Sequence, residues 1–142
     1  MIDIPRDDLV LMLEAGYIYL AMGKFLEARH VFEGLIALVP KNEVPRVALA
    51  NVLFAQKKFL PAIRTLKEAI KLNEESAFAH AHLGEALLFY GKKEQALEAL
   101  AQASRLEVQG KCGDFARSLI ELVKRGYSPS HYRAESKKGA SQ

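Results

Sequence analysis

AGYIYLAMGKFLEARHVFEGLIALVP, residues 15–40, decides the fold, because its key positions return at one interval. Gly16 returns as Ala50 and Gly84, Ala28 as Ala62 and Ala96, and Phe32 as Leu66 and Leu100, each step being 34 residues. A constant period of this length marks stacked helical hairpins and outranks any local motif. Working outward, the period divides the chain into repeats at 9–42, 43–76 and 77–110.

Each repeat reads as two helices. In the first repeat a helix runs to about Met22, and Gly23 supplies the positive φ that closes it. A second helix runs from about Phe25 to Val39, and Pro40 sits where the chain must leave it. Repeat two turns at Gln56-Lys57-Lys58 without a glycine, which costs about 1 kcal/mol if Lys57 is left-handed. Repeat three turns at Gly91-Lys92-Lys93. Gly16, Ala50 and Gly84 are expected where the first helix of a pair crosses the second, opposite Ala28, Ala62 and Ala96. Small side chains there let the backbones approach at the short end of the roughly 8–10 Å range. Phe32, Leu66 and Leu100 fill the seams. One hairpin alone cannot bury its apolar side, whereas three stacked ones can.

The flanks follow the same logic. Asp3 and Pro5 are placed to cap and start the first helix, with Asp7 and Asp8 favouring its positive end. After Gly110-Lys111-Cys112-Gly113 a helix is expected from about Asp114, as N-cap, to Lys124. Its apolar stripe is Phe115, Leu119, Leu122 and Val123, with Arg117, Glu121, Lys124 and Arg125 facing water. This is a capping helix, about 114–125, for an open-ended array. The expected architecture is therefore an all-α solenoid of three helix-turn-helix repeats plus a C-terminal cap, within a domain at 1–126. Residues 127–142 are expected to form a basic, flexible tail.

Composition narrows the function classes. Half of the residues are apolar and 26% are charged, an ordinary globular balance. No run reaches the roughly 18 apolar residues of a membrane span, and residues 1–8 lack the pattern of a secretory signal. Cys112 is the only cysteine, so no disulfide framework exists. A cytoplasmic location is the simplest expectation. Of the net charge of +3, the segment 124–142 carries five basic residues and one acid, leaving 15 basic against 16 acidic elsewhere. The repeats are thus near neutral, and no specific nucleic-acid-binding body is indicated. The basic tail offers only salt-sensitive, non-specific contact with polyanions.

The spacing of Gly16, Tyr19, Ala28, Phe32 and Pro40, and of Gly84, Leu87, Ala96, Leu100 and Ala103, resembles the tetratricopeptide repeat over 9–110. Repeat two departs from it, with Ala50 for glycine and Glu74 for the closing proline. The resemblance implies a right-handed superhelix whose first helices line a concave, protein-binding groove. Three repeats, a short end helix and this length are also similar to the small chaperones of bacterial type III secretion systems. Those hold a hydrophobic translocator or needle subunit before export. The lead-in is short for the translocator class, which leaves the oligomeric state open, a homodimer included.

Carried over by register, the groove positions are Val10, Leu13, Tyr17, Leu20 and Ala21 in repeat one. They are Val44, Val47, Asn51, Phe54 and Ala55 in repeat two, and Phe78, Ala81, Glu85, Leu88 and Phe89 in repeat three. So many large apolar groups imply a covering ligand, an apolar helix or extended segment of a partner protein. Coverage by the chain's own termini, or by a dimer, is the alternative. Asn51 and Glu85 are placed to fix a ligand's register. Repeat proteins that grip acidic heat-shock C-termini carry a lysine, asparagine and arginine clamp. The matching positions here, Leu13, Tyr17, Ala48, Phe78 and His82, offer no cation unless His82 is protonated.

Catalytic signals are weak. His80 and His82 are two apart on a helix and do not face each other, a poor metal pair. Cys112 follows Lys111, which is expected to lower its pKa, but no base is cued. No phosphate-cradling loop is present. The expectation is a non-catalytic adaptor without cofactor or metal, a chaperone for an apolar segment in one reading and a general scaffold bridging folded proteins in the other.

Overall fold

The computed structural model describes residues 4–129, so the expectations for Asp3 and for the tail beyond 129 lie outside the described residues. Those residues form seven helices and no strand: α1 (Arg6–Ala21), α2 (Phe25–Leu38), α3 (Val44–Ala55), α4 (Phe59–Leu72), α5 (Ala77–Tyr90), α6 (Lys93–Leu106) and α7 (Lys111–Lys124). They belong to two compact units, Met1–Glu74 with α1–α4 and Glu75–Gln142 with α5–α7.

One device closes every odd-numbered helix. After α1, Gly23 takes φ 73°, its N–H reaches Leu20 O at 3.0 Å, and Lys24 N–H reaches Tyr19 O at 2.9 Å. This paired closure satisfies carbonyls that the helix end would otherwise orphan. Lys57 (φ 63°), Gly91 (φ 95°) and Gly126 (φ 96°) repeat it. Lys57 is thus left-handed, and α3 carries the strain, about 1 kcal/mol, that glycine would relieve.

The helix crossings explain the small residues. A Cβ on Gly16 would collide with the ring of Phe32. One on Gly84 would lie 2.5 Å from Leu100 Cδ2 and 3.2 Å from the backbone oxygen of Ala96. Ala28, Ala62 and Ala96 are wholly buried. In the first unit Ala28, Phe32, Leu35, Ala48 and Val52 form the core, with Leu9, Met12, Leu13 and Tyr17 packed against it. In the second, Ala81, Leu100, Ala103, Ala116 and Leu119 do so, joined by Cys112, Phe115 and Ile120.

The start of α7 differs from expectation. Asp114 is not its N-cap, because the helix begins at Lys111 after Gly110 (φ 148°). The capping acceptor comes from the preceding turn, where Glu107 Oε2 takes the Gly113 N–H at 2.7 Å. A Cβ on Gly113 would run into the Glu107 carbonyl, so the chain passes too close for any other residue. Arg117, expected in water, instead reaches the end of α6. Its Nη1 donates to Ser104 Oγ at 3.1 Å and to Glu107 O at 3.2 Å, and its Nη2 to Asp114 Oδ1 at 2.7 Å. A guanidinium beside the last carbonyls of a helix also favours the negative end of its dipole. Leu122, expected on the apolar stripe, is exposed, and the buried stripe is Gly113, Ala116, Leu119 and Val123.

Candidate functional site

In the first unit, α1 sets Val10, Leu13, Tyr17 and Leu20 at spacings of three and four, along one side of the helix. Tyr17 is half-buried and its ring lies 5.2 Å from that of Phe32. Its hydroxyl accepts a 3.0 Å hydrogen bond from Asn51 Nδ2. These two residues occupy the same position in successive repeats, 34 apart, so the bond ties α1 to α3 in register. Leu13 and Leu20 pack against the unit's core and keep part of their surface. Phe54 on α3 meets Phe59 of α4 edge to face at 5.4 Å. Ala21 and Ala55 are exposed.

Three of the expected residues meet in one cavity. A cleft of about 800 Å³ opens between the start of α1, the end of α2 and the start of α3. Val10, Leu13 and Val44 line it together with Leu9, Leu38 and Val39, and Arg6 and Lys41 also border it. Sequence register missed Leu9, Leu38 and Val39. Leu38 and Val39 come from a helix end and its C-cap, which the repeat positions of first helices do not include. The exposure of Leu38, 44%, is a signal seen only in the fold.

In the second unit, α5 carries Phe78, Glu85 and Phe89 partly exposed. The Phe78 ring stands edge-on to His82 at 5.0 Å, and His82 stacks on Phe115 of α7 at 5.5 Å. His82 Nδ1 lies 3.3 Å from Glu85 Oε1. Glu85 therefore has a partner on its own helix, one turn back. His82, the one clamp position able to carry charge, is enclosed by two aromatic rings and a carboxylate. Phe115 joins this surface although register assigned it only to the cap.

Some of the expected lining is core. Val47 and Ala81 are wholly buried and Leu88 is 3% exposed. They support the surface from beneath and present nothing to a partner. Cys112 also departs from expectation: burial, and then the nearby Glu107 carboxylate, push its thiol up from the ordinary value. Exposed Lys111 does not offset them. Among the described residues no cluster of three or more His, Cys, Asp or Glu is placed to hold a metal ion. No helix of the described residues is long and apolar enough to cross a membrane.

The repeat geometry has direct counterparts. Residues 21–103, more than half of the chain, match the family model described as anaphase-promoting complex, cyclosome, subunit 3. The chain belongs to this family of tetratricopeptide repeats. It is 30% identical over 129 residues to mouse (Mus musculus) tetratricopeptide repeat protein 17, an alignment covering 89% of this chain and 11% of that protein. The chain thus spans about a tenth of the length of this curated relative. Among solved structures, the type III secretion translocator chaperone SycD of Yersinia enterocolitica superposes with a TM-score of 0.73 at 20% identity, covering 84% of this chain and 92% of that one. PcrH in complex with the chaperone-binding region of PopD gives 0.71 at 17% identity, covering 86% and 95%. At such identities the likeness is one of fold.

Proposed function

We propose that this tetratricopeptide repeat chain is a non-catalytic adaptor that holds an apolar segment of a partner protein. The observation that carries the reading is the cleft of the first unit, where Val10, Leu13 and Val44 join Leu9, Leu38 and Val39 around about 800 Å³. An apolar concavity of this size suits a short run of apolar side chains. Arg6 and Lys41 border it together with one carboxylate, Glu43, so its rim is of mixed charge and the apolar lining carries the recognition. Tyr17, Leu20, Asn51 and Phe54 extend the binding surface along α1 and α3. Phe78, Glu85 and Phe89 offer a separate one on α5, with Val47 and Leu88 as support.

The narrower form of this reading is a cytoplasmic secretion chaperone that covers a translocator or needle subunit and keeps it from aggregating. The shared fold with SycD and with PcrH bound to part of PopD favours it. A scaffold bridging folded proteins is the second reading. It is favoured by the 30% identity to a mouse protein named only for its repeats.

Affinity capture with the full chain, followed by mass spectrometry, tests both. One small apolar client favours the chaperone, and several folded proteins favour the scaffold. In the Val10→Asp/Val44→Asp double variant, client binding should weaken roughly tenfold or more, with helicity retained. Undiminished binding by that variant rejects the cleft as the site.

A further inference from the structure

α5 carries a single acid on a side that is otherwise aromatic. Phe78, His82, Glu85 and Phe89 follow i, i+4, i+7 and i+11, so they share one stripe of the helix. All four are partly exposed, and Phe115 of α7 extends the same surface by stacking on His82 at 5.5 Å. From Ala77 to Tyr90, Glu85 is the only Asp, Glu, Lys or Arg. Its side chain is 19% exposed, so most of its contact with water is lost. The fold returns little for that loss. His82 Nδ1 stands 3.3 Å from Oε1, long for a charge-assisted bond, and no Lys or Arg pairs with Glu85 among the described residues.

The repeat itself does not require a carboxylate there. The same place in the two preceding repeats holds Tyr17 and Asn51, neutral residues that satisfy each other through a 3.0 Å hydrogen bond. A carboxylate drawn this far out of water is costly until a cation meets it. Charge and shape together name the occupant. A guanidinium can meet a carboxylate with two parallel N–H groups and also lie flat on an aromatic ring. The rings of His82 and Phe89 belong to residues about one turn to either side of Glu85 on α5. We propose that the α5 stripe recognises an arginine of the partner, set among apolar residues, through the Glu85 carboxylate. This rests on the adaptor reading above and adds the residue type that the partner must carry.

A random library of short peptides displayed on phage, selected against the full chain, tests this. Enriched peptides should carry an arginine between apolar residues. A synthetic copy should bind roughly tenfold tighter than its analogue with citrulline, the neutral isostere of arginine. Glu85→Gln should erase that difference by weakening only the arginine form, with helicity unchanged. The Val10→Asp/Val44→Asp variant, altered in the other unit, should keep it. Enriched peptides without arginine, or equal binding of the arginine and citrulline forms, overturn this inference and leave the adaptor reading standing. So does a preference that survives Glu85→Gln or vanishes in the Val10→Asp/Val44→Asp variant. A library in which no peptide is enriched overturns both.

Discussion

α1 and α7 are both helices with one broad side toward solvent, yet they are built in opposite ways. α7 buries Gly113, Ala116, Leu119 and Val123 and shows water Lys111, Asp114, Ser118, Glu121 and Lys124, with Leu122 as the one large apolar exception. From Leu9 onward α1 is apolar nearly all round and leaves Leu11 and Ile18 exposed, as is its C-cap Met22. Amphipathic order of the α7 kind is what a solvent-facing helix needs. Its lack in α1 teaches that helical periodicity and solvent fitness are separate properties of a sequence. The first suffices to fold α1, and the missing second marks where something else should sit.

The same substitution on the two helices offers the largest contrast. Leu119→Asp should cost about 3–5 kcal/mol, because it sets an unpaired carboxylate in the core of the second unit. Ile18→Asp should cost about 0.5 kcal/mol or less by urea denaturation, measured dilute so that association does not contribute. Similar losses at both sites would break the distinction between the two faces. A smaller effect probes what holds α7 in place. Arg117→Ala should cost about 1–2 kcal/mol, the value of hydrogen bonds from a charged group that is partly solvated. A loss within error would mean that Gly113 and the apolar stripe hold the helix alone. The smallest effect reports how dry the inner side of α7 is. Because burial, and then the Glu107 carboxylate, raise the Cys112 pKa, its alkylation should lag that of the urea-unfolded chain, with a midpoint at higher pH than in that chain. The sign for stability follows. The raised thiol pKa stabilises the fold below the ordinary value, and this is lost as pH rises through the folded one. Equal alkylation rates would show the thiol to be open.

Most of the helical framework was legible because it depends on spacing. Gly16, Ala28 and Phe32 announce a close crossing by size alone, and the collision awaiting a Cβ at Gly16 gives the physical reason. Gly23 and Gly91 announce closures in the same way, and Lys57 adopts the same conformation against its own preference. What escaped were features set by residues brought in from elsewhere in the fold. Asp114 looked like a cap, but Glu107 reached the helix start first. Arg117 looked solvated, but the end of α6 lay within reach. Lys111 suggested a depressed thiol, whereas burial and Glu107 decide the direction. The candidate surface divides likewise. Register named Val10, Leu13 and Val44 only as members of a long groove; the fold brings them into one cleft, with Leu38, of which register gave no sign, and sets Val47 and Leu88 beneath the surface.

The Tyr17–Asn51 bond and the helix contacts around it share a further property. Within each unit, packing joins helices that are adjacent or next but one in the chain, as α1 does with α2 and α3, and α5 with α6 and α7. No strand must wait for a distant mate among the described residues. Such short-range wiring places folding in the microsecond-to-millisecond regime, roughly, rather than the seconds of non-local β-topologies. The contacts among α1–α4 are all of this short-range kind, so they can begin to form while later residues are still being made.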